Sequence, residues 1–358
     1  PGGVAHAQRH GRRCDEDDGG RRGKGECSLI PGLSLESEKD AREALEQLTK
    51  LDTLNPESIP HSLPAVKFAV ETALIDLKRE GAPTWIEGIP VNGLVWMGSE
   101  AFMKQQISEK LDQGFRCIKM KIGAIDFDTE LNLLKLIRKE YSSSDIALRV
   151  DANGAFNYSE ALEKLKRLSE FDLHSIEQPI KQGQWQEMAR LCEDTPLPIA
   201  LDEELIGVFL EKEKLDVLTT INPQYIILKP SLLGGFSASD QWISLAENKN
   251  IGWWITSALE SNIGLNAIAQ YTFTKNSKLH QGLGGPFAAQ LHAEFYYYIL
   301  GKCRFMHKLG FFCLLCVVAF QHERKRVYFL LDNYQSHGAP GGFLVATLLI
   351  DDAGVHRG

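Results

Sequence analysis

Short apolar runs recur along the middle of the chain and are separated by amphipathic stretches. Eight such runs between residues 91 and 284 are strand-like and recur about every 25–30 residues. They are NGLVWMG, CIKMKIG, IALRVDANG, HSIEQPI, PIALDEEL, YIILKPS, GWWITSALES and HQGLG. Between them, apolar residues recur at helical spacing, most clearly in ELNLLKLIRKEY, YSEALEKLKRLSEF, WQEMARLC and SASDQWISLAENK. The pattern therefore alternates strand and helix.

Alternation of this kind implies parallel strands joined by crossover helices. Eight evenly spaced units predict an α/β fold built on a (β/α)8-type barrel over residues 91–284. A doubly wound open sheet is the alternative, but no glycine-rich nucleotide loop follows the first strand, which weakens it. The barrel is therefore the favoured architecture.

The flanking segments have different patterns. Residues 23–90 contain two helical patterns, one from about Ser37 to Leu48 and one from near Ser62 to Gly81. Residues 1–22 are rich in Gly, Arg and Asp without periodicity, and are predicted to be disordered. Residues 285–358 show no strand–helix rhythm, and their fold is left open.

Composition and charge narrow the class of protein. The chain has 358 residues, a net charge of −8 and an isoelectric point near 5.8, unlike a typical nucleic-acid binder. The seven cysteines form no disulfide or zinc pattern, so a reduced, cytoplasmic protein is expected. The CxxC at Cys313 and Cys316 lies in an eleven-residue apolar run, too short to span a bilayer. No signal-peptide pattern or membrane association is apparent, and the oligomeric state is open.

Charged residues stand where the predicted strands end. Catalytic groups of such barrels sit at the carboxyl ends of the strands. Asp151, Glu177 and Asp202 end three consecutive strands, 26 and 25 residues apart. Three converging carboxylates repel one another unless a cation neutralises them, and oxygen ligands suit Mg²⁺ or Mn²⁺. The alternative for any single Asp is a helix N-cap.

Two lysines share one face of the second predicted strand, because alternate side chains point the same way. Lys119 and Lys121 either face the barrel interior or mark a solvated edge strand. Lys229 ends the sixth strand, opposite the second in the barrel, or is an ordinary loop lysine. A nearby cation and desolvation lower the pKa of a lysine towards the range of a general base. The set therefore suggests abstraction of a proton α to a carboxylate, with a metal ion stabilising the enediolate.

Two further polar residues belong to the third strand end. Arg149 lies on the same face as Asp151, and either binds a substrate anion or forms an ion pair. Asn153, two residues beyond Asp151, is expected to support the metal ligands without binding the metal itself.

These motifs resemble the enolase superfamily, in its branch with a lysine on each side of the site. The matching segments are KMK (119–121), VDANG (150–154), IEQP (176–179), LDE (201–203) and LKPSLLGG (228–235). Within it, the chain is most similar to the o-succinylbenzoate synthase family of menaquinone biosynthesis. That similarity rests on GKGECSLIPGLS (23–34), GLVWMG (93–98), SALESNIGLNAIAQ (257–270) and QGLG (281–284), and it covers about residues 23–284.

The resemblance implies a Mg²⁺-dependent lyase with an α+β capping domain over residues 23–90. Lys121 would remove the α-proton of a cyclohexadiene carboxylate and then assist the syn departure of water. Lys229 would stay protonated and stabilise the enediolate. The metal ligands would be Asp151, Glu177 and Asp202; the substrate-binding residues would include Lys119, Arg149, Ser257 and Ser261. A segment from Glu26 to Leu33 would supply a mobile lid.

Other readings remain. Relatives with the same two lysines racemise N-acylamino acids or epimerise dipeptides. Dipeptide epimerases usually carry acidic residues at the eighth strand, and HQGLGG has none, which favours the synthase. The unfamiliar segments 1–22 and 285–358 leave a third reading, an inactive relative of low stability whose barrel lacks its usual last helix.

Overall fold

A computed structural model describes residues 21–51, 53–79, 88–283, 316–322, 325–334 and 343–352. Residues 1–20, which are predicted to be disordered, and Cys313 of the CxxC lie outside the described ranges. For Arg21 and Arg22 the prediction of disorder is wrong, because they open the first strand, β1 (Arg21–Leu29).

The amino-terminal part consists of β1, α1 (Glu38–Leu48), a 3-10 turn (Pro56–Ser58) and α2 (Pro64–Lys78). Helix α1 begins where predicted, because Ser37 and Asp40 form a reciprocal capping box. Helix α2 begins with Pro64, whose fixed φ suits the first helical turn. It ends at Lys78, short of the predicted Gly81, because Arg79 already adopts an extended conformation.

Seven parallel strands form a sheet in sequential order. They are β2 (Gly93–Val95), β3 (Cys117–Lys121), β4 (Ala147–Asp151), β5 (Ser175–Glu177), β6 (Ile199–Leu201), β7 (Tyr225–Leu228) and β8 (Gly252–Ile255). The register pairs Lys121 with Asp151 and Asp151 with Glu177. Three of the predicted site residues therefore lie in one row at the carboxyl edge of the sheet.

The eighth predicted strand is reduced to two residues that nevertheless close the ring. Gln281 bridges to Val91 and Gly282 bridges to Thr256, both in parallel. A Cβ atom at position 282 would lie 2.1 Å from the Thr256 hydroxyl oxygen, so this close approach requires glycine. The predicted (β/α)8-type barrel is confirmed, while the helix that would follow Gly282 falls outside the described residues.

Helices connect the barrel strands and cover their outer faces. They are α3 (Glu100–Asp112), α4 (Phe127–Glu140), α5 (Tyr158–Ser169), α6 (Trp185–Asp194), α7 (Glu211–Ile221), α8 (Pro230–Leu233), α9 (Phe236–Glu247) and α10 (Asn262–Lys275). Helices α4, α5, α6 and α9 coincide with the four clearest helical patterns of the sequence. Ile118 and Met120 of β3, and Ile122 directly after it, are buried in the core that the strands form with these helices.

The carboxy-terminal segment supplies three strands that the sequence does not reveal. β9 (Cys316–His322), β10 (Lys325–Tyr334) and β11 (Phe343–Asp352) form an antiparallel sheet in the order β1-β11-β10-β9. Ala346 and Leu348 of β11 are buried in one cluster with residues of β1, α1 and α2. The first and last described strands are therefore neighbours. None of the helices described here is both long and apolar enough to cross a bilayer.

Glu26 joins β1 to the barrel. Its fully buried carboxylate accepts hydrogen bonds from the Ser261 and Gly264 amides, at 2.5 and 2.6 Å, and from the hydroxyls of Ser261 and Ser28. It thereby caps the amino terminus of α10. The prediction of a lid from Glu26 to Leu33 is wrong for its first half, because residues 26–29 are part of a paired strand.

We expect Glu26→Gln to lower the free energy of unfolding by about 2 kcal/mol, because a neutral amide cannot accept all these bonds and buries unpaired donors. Urea unfolding measures the change. Glu38→Gln, at an exposed position on α1, is the matched control and should shift stability by less than about 0.5 kcal/mol. Equal midpoints for the two variants would refute the assigned role of Glu26.

Candidate active site

Lys119 and Lys121 point into the barrel. The Lys121 Nζ atom lies 2.5 Å from Asp151 Oδ2 and 2.7 Å from Asn153 Oδ1. The Lys119 Nζ atom lies 2.8 Å from Asp151 Oδ2 and also pairs with Glu177. Because β3 lies between β2 and β4 and Lys119 is buried, the solvated-edge alternative is wrong.

Lys229 follows β7, which stands opposite β3 in a ring of eight strands. Its ammonium group pairs with Asp202, which is buried at the end of β6. Asp202 precedes a 3-10 turn (Glu203–Leu205) but its side chain makes no capping hydrogen bond. The N-cap interpretation therefore does not account for Asp202, and Lys121 and Lys229 are held by different carboxylates.

Electrostatics in this pocket are dominated by burial and by these ion pairs. Burial alone lowers the pKa of Lys119 and Lys229, but the neighbouring carboxylates outweigh it and raise both pKa values above the ordinary range. Burial raises the pKa of Asp151, yet Lys119 and Lys121 outweigh it and hold that pKa far below normal. Burial and Asp151 raise the pKa of Glu177. In this arrangement Asp202 stabilises the ammonium form of Lys229, and the lowering of a lysine pKa beside a bound cation stays a prediction.

The predicted metal ligands offer only carboxylate oxygens, the donors that hard divalent cations prefer. Glu177 Oε1 is buried without a hydrogen-bond partner in the described part of the chain, and so is Glu203 Oε2. Across the described ranges, no three acidic, His or Cys side chains stand ready as a metal-binding group. The lysines instead occupy oxygens of Asp151, Glu177 and Asp202. The donor set fits a divalent cation chemically, provided the ammonium groups give up those contacts.

Glu203 takes part in the site in a way that the sequence did not reveal. Its Oε1 atom accepts a hydrogen bond of 2.8 Å from Asn153 Nδ2, while Asn153 Oδ1 accepts from Lys121. Asn153 adopts a left-handed conformation with φ of 44°, which asparagine tolerates better than most residues. These two hydrogen bonds, from Glu203 through Asn153 to Lys121, fix the orientation of the lysine side chain. The only sequence signal was the run of three acidic residues in LDEE.

Arg149 lies deeper in the barrel than the carboxylates. It is paired in register with Lys119, and its guanidinium stacks 3.8 Å from the ring centroid of Trp254. Its Nη1 atom donates a 2.7 Å hydrogen bond to the His280 carbonyl. Burial lowers its pKa. The structure thus brings Arg149 to an aromatic ring and a backbone carbonyl, where it braces the loop before the eighth strand.

The two predicted serines lie on the connection between β8 and α10. The Ser257 amide donates to the Gly282 carbonyl at 3.2 Å, at the closing strand of the barrel. The Ser261 hydroxyl is the N-cap of α10 and donates to Glu26. Ser261 is therefore already engaged in joining β1 to the barrel, and its predicted contact with substrate stays a prediction, as does that of Ser257.

The amino-acid sequence of this chain is similar to those of a known protein family and of two enzymes. The sequence profile of the "Enolase C-terminal domain-like" family matches residues 103–297. The chain is 48% identical over 310 residues to o-succinylbenzoate synthase of Desulfotalea psychrophila, covering 75% of this chain and 84% of that protein. It is 29% identical over 262 residues to N-succinylamino acid racemase of Thermus thermophilus, covering 68% and 69% respectively.

A solved structure has the same fold. The o-succinylbenzoate synthase of Thermosynechococcus elongatus BP-1, with Mg in its active site, superposes with a TM-score of 0.63 at 26% identity. The match covers 75% of this chain and 83% of that chain.

Proposed function

The chain belongs to the enolase superfamily, and on that basis we propose that it is a Mg²⁺-dependent o-succinylbenzoate synthase. Its 48% identity to the synthase of Desulfotalea psychrophila supports this reaction. The observation that carries the proposal is the row formed by Lys121, Asp151 and Glu177 on adjacent strands, with Asp202 after the next strand and its partner Lys229 opposite Lys121. The reaction is the loss of water from a cyclohexadiene carboxylate, which makes the enzyme a carbon–oxygen lyase.

Asp151, Glu177 and Asp202 would hold Mg²⁺, with Mn²⁺ as a substitute of similar ligand preference. The bound cation would act as a Lewis acid that stabilises the negative charge developing on the substrate carboxylate. Lys119, between Asp151 and Glu177, is placed to hold that carboxylate.

Lys121 is the proposed base. Its neutral amine takes the α-proton of the substrate, and the electron pair of the C–H bond moves into the carboxylate. When the pair returns, the C–O bond of the hydroxyl breaks, and the ammonium of Lys121 donates its proton so that water leaves from the same face. Asn153 and Glu203 hold the lysine in position for both transfers. Overall, one substrate yields one aromatic product and one water.

Lys229 has a different part in the proposed reaction. It lies on the opposite side of the barrel from Lys121, and the resemblance to the superfamily implies that it remains an ammonium ion throughout. A fixed positive charge opposite the base would stabilise the developing enediolate.

A second candidate is racemisation of N-succinylamino acids. It is favoured by the lysines on opposite sides of the barrel, since one lysine can remove and the other return a proton, and by the 29% identity to a racemase. Incubation in D₂O with Mg²⁺ separates the candidates. We expect rapid aromatisation of the cyclohexadiene substrate and slower α-deuterium incorporation into N-succinylamino acids. Exchange without any dehydration would favour the racemase, and neither reaction would indicate an inactive relative.

We further propose that residues 23–90 cap the barrel of residues 91–284 and close over a small carboxylate substrate. A cytoplasmic location is proposed from the cysteine pattern, with no nucleic-acid partner on grounds of charge.

A further inference from the structure

Trp96 exposes an aromatic ring beside the proposed base. It directly follows β2, whose Val95 pairs with Met120 of β3, so residue 96 comes level with Lys121. The Lys121 Nζ atom lies 5.8 Å from the centroid of the Trp96 ring. The alternation along β2 agrees, because Val95 is buried towards the outer helices and Trp96 has the opposite orientation.

The ring of Trp96 is partly open to solvent. Trp96 is 42% exposed. The groups around Lys121 are carboxylates and lysines, and the indole contributes to them a cation–π contact with Lys121. A large apolar surface at the carboxyl edge of the barrel, where the reaction is proposed, is typical of a ligand-binding wall.

The backbone of Trp96 is also held rigidly. Its amide donates a 2.9 Å hydrogen bond to Gln106 Oε1, and its carbonyl accepts one of 2.9 Å from Gln106 Nε2. This two-point contact ties the segment after β2 to helix α3. An aromatic side chain on a fixed backbone has few conformations left to lose when a ligand binds, so it is preorganised for contact.

We infer that Trp96 is a substrate-binding residue on whose face the six-membered ring of the substrate packs, a role that rests on the proposed function. Flat rings gain affinity from offset-stacked or edge-to-face contact beyond their buried area. The substrate ring becomes planar and aromatic as water leaves. A flat indole face therefore fits the ring better as the reaction proceeds, and contacts that strengthen towards the transition state raise the rate. The indole also excludes water from the α-carbon next to Lys121.

Two substitutions at this position separate flatness from hydrophobicity. Trp96→Leu keeps an apolar side chain without a ring, and Trp96→Phe keeps a smaller flat ring. Phe273→Leu is the matched control, since Phe273 is 48% exposed on α10 and has no part in the site. Titration calorimetry with o-succinylbenzoate and Mg²⁺ measures affinity, and steady-state kinetics gives kcat and KM.

We expect Trp96→Leu to weaken o-succinylbenzoate binding about tenfold and to lower kcat/KM by at least as much, whereas Trp96→Phe stays within about threefold of the wild type. Phe273→Leu should change neither quantity. Wild-type affinity in Trp96→Leu, or equal losses in the Leu and Phe variants, would overturn the inference.

The same experiment separates this inference from the proposed function. A wild-type protein that binds o-succinylbenzoate through Trp96 but produces none of it would refute the synthase while leaving the ring contact in place. A wild-type protein that produces it with unchanged kinetics in Trp96→Leu would refute the ring contact alone. Absence of both binding and turnover in the wild type would refute both.

Discussion

Lys121→Ala should reduce kcat for dehydration by about 10³–10⁴-fold, the loss expected when a general base is removed. Lys121 is the proposed carrier of the only proton that moves in the reaction, and the other two residues of its row, Asp151 and Glu177, are the proposed metal ligands. The rise of aromatic absorbance in saturating substrate and Mg²⁺ measures the effect. The variant should remain folded, because Lys119 still compensates the charge of Asp151.

A second substitution distinguishes proton transfer from positive charge. Lys121→Arg keeps the charge and its bonds to Asp151 and Asn153, but a guanidinium does not deprotonate in proteins. We therefore expect it to be about as inactive as Lys121→Ala. Lys104→Ala, which removes an exposed lysine paired with Glu100 on α3, is the control and should retain full activity. More than a tenth of wild-type activity in either Lys121 variant would contradict the assignment of the base.

Removing divalent cations should abolish dehydration to a similar extent. Excess chelator is expected to lower activity by about 10³-fold, since a Lewis acid contributes several kcal/mol to charge stabilisation. Added Mg²⁺ or Mn²⁺ should restore it. The buried carboxylates explain this dependence on a cation. Glu177 Oε1 has no hydrogen-bond partner among the described residues, and without a cation only the lysines offset the negative charge of the carboxylates.

Thermal unfolding gives an independent readout of the same site. Saturating Mg²⁺ at 100 times its dissociation constant should stabilise the wild type by about 2.7 kcal/mol, because it binds the folded state. Glu177→Gln should lose most of this stabilisation and most of the activity. Glu163→Gln, at an exposed position on α5, should retain both. Full activity in chelator, or equal metal stabilisation of the two variants, would rule out the proposed ligand set.

The row of site residues was predictable from the sequence because it depends on short-range rules. Strand alternation puts Lys119 and Lys121 on one face, and spacings of 26 and 25 residues carry Asp151, Glu177 and Asp202 to successive strand ends. In a parallel barrel those ends share one edge, so the period alone brings the groups together. The roles assigned to them remain predictions until they are tested.

Contacts between distant parts of the chain could not be predicted in this way. The sheet pairs Glu26 with Thr347, and nothing in the local pattern of the last segment indicates that partner. The guanidinium of Arg149 on β4 stacks on the ring of Trp254 on β8 because both side chains point into the barrel interior. The pairing of Lys229 with Asp202 likewise depends on side-chain geometry that the local sequence pattern does not specify.

The most direct test of the proposed reaction is proton NMR of the purified chain with Mg²⁺ and the cyclohexadiene carboxylate. We expect aromatic resonances of o-succinylbenzoate to replace the diene resonances at a rate proportional to enzyme concentration, and we expect no such replacement above background with Lys121→Ala. A wild-type protein that leaves the diene unchanged, or a Lys121→Ala variant that converts it equally fast, would contradict the central claim.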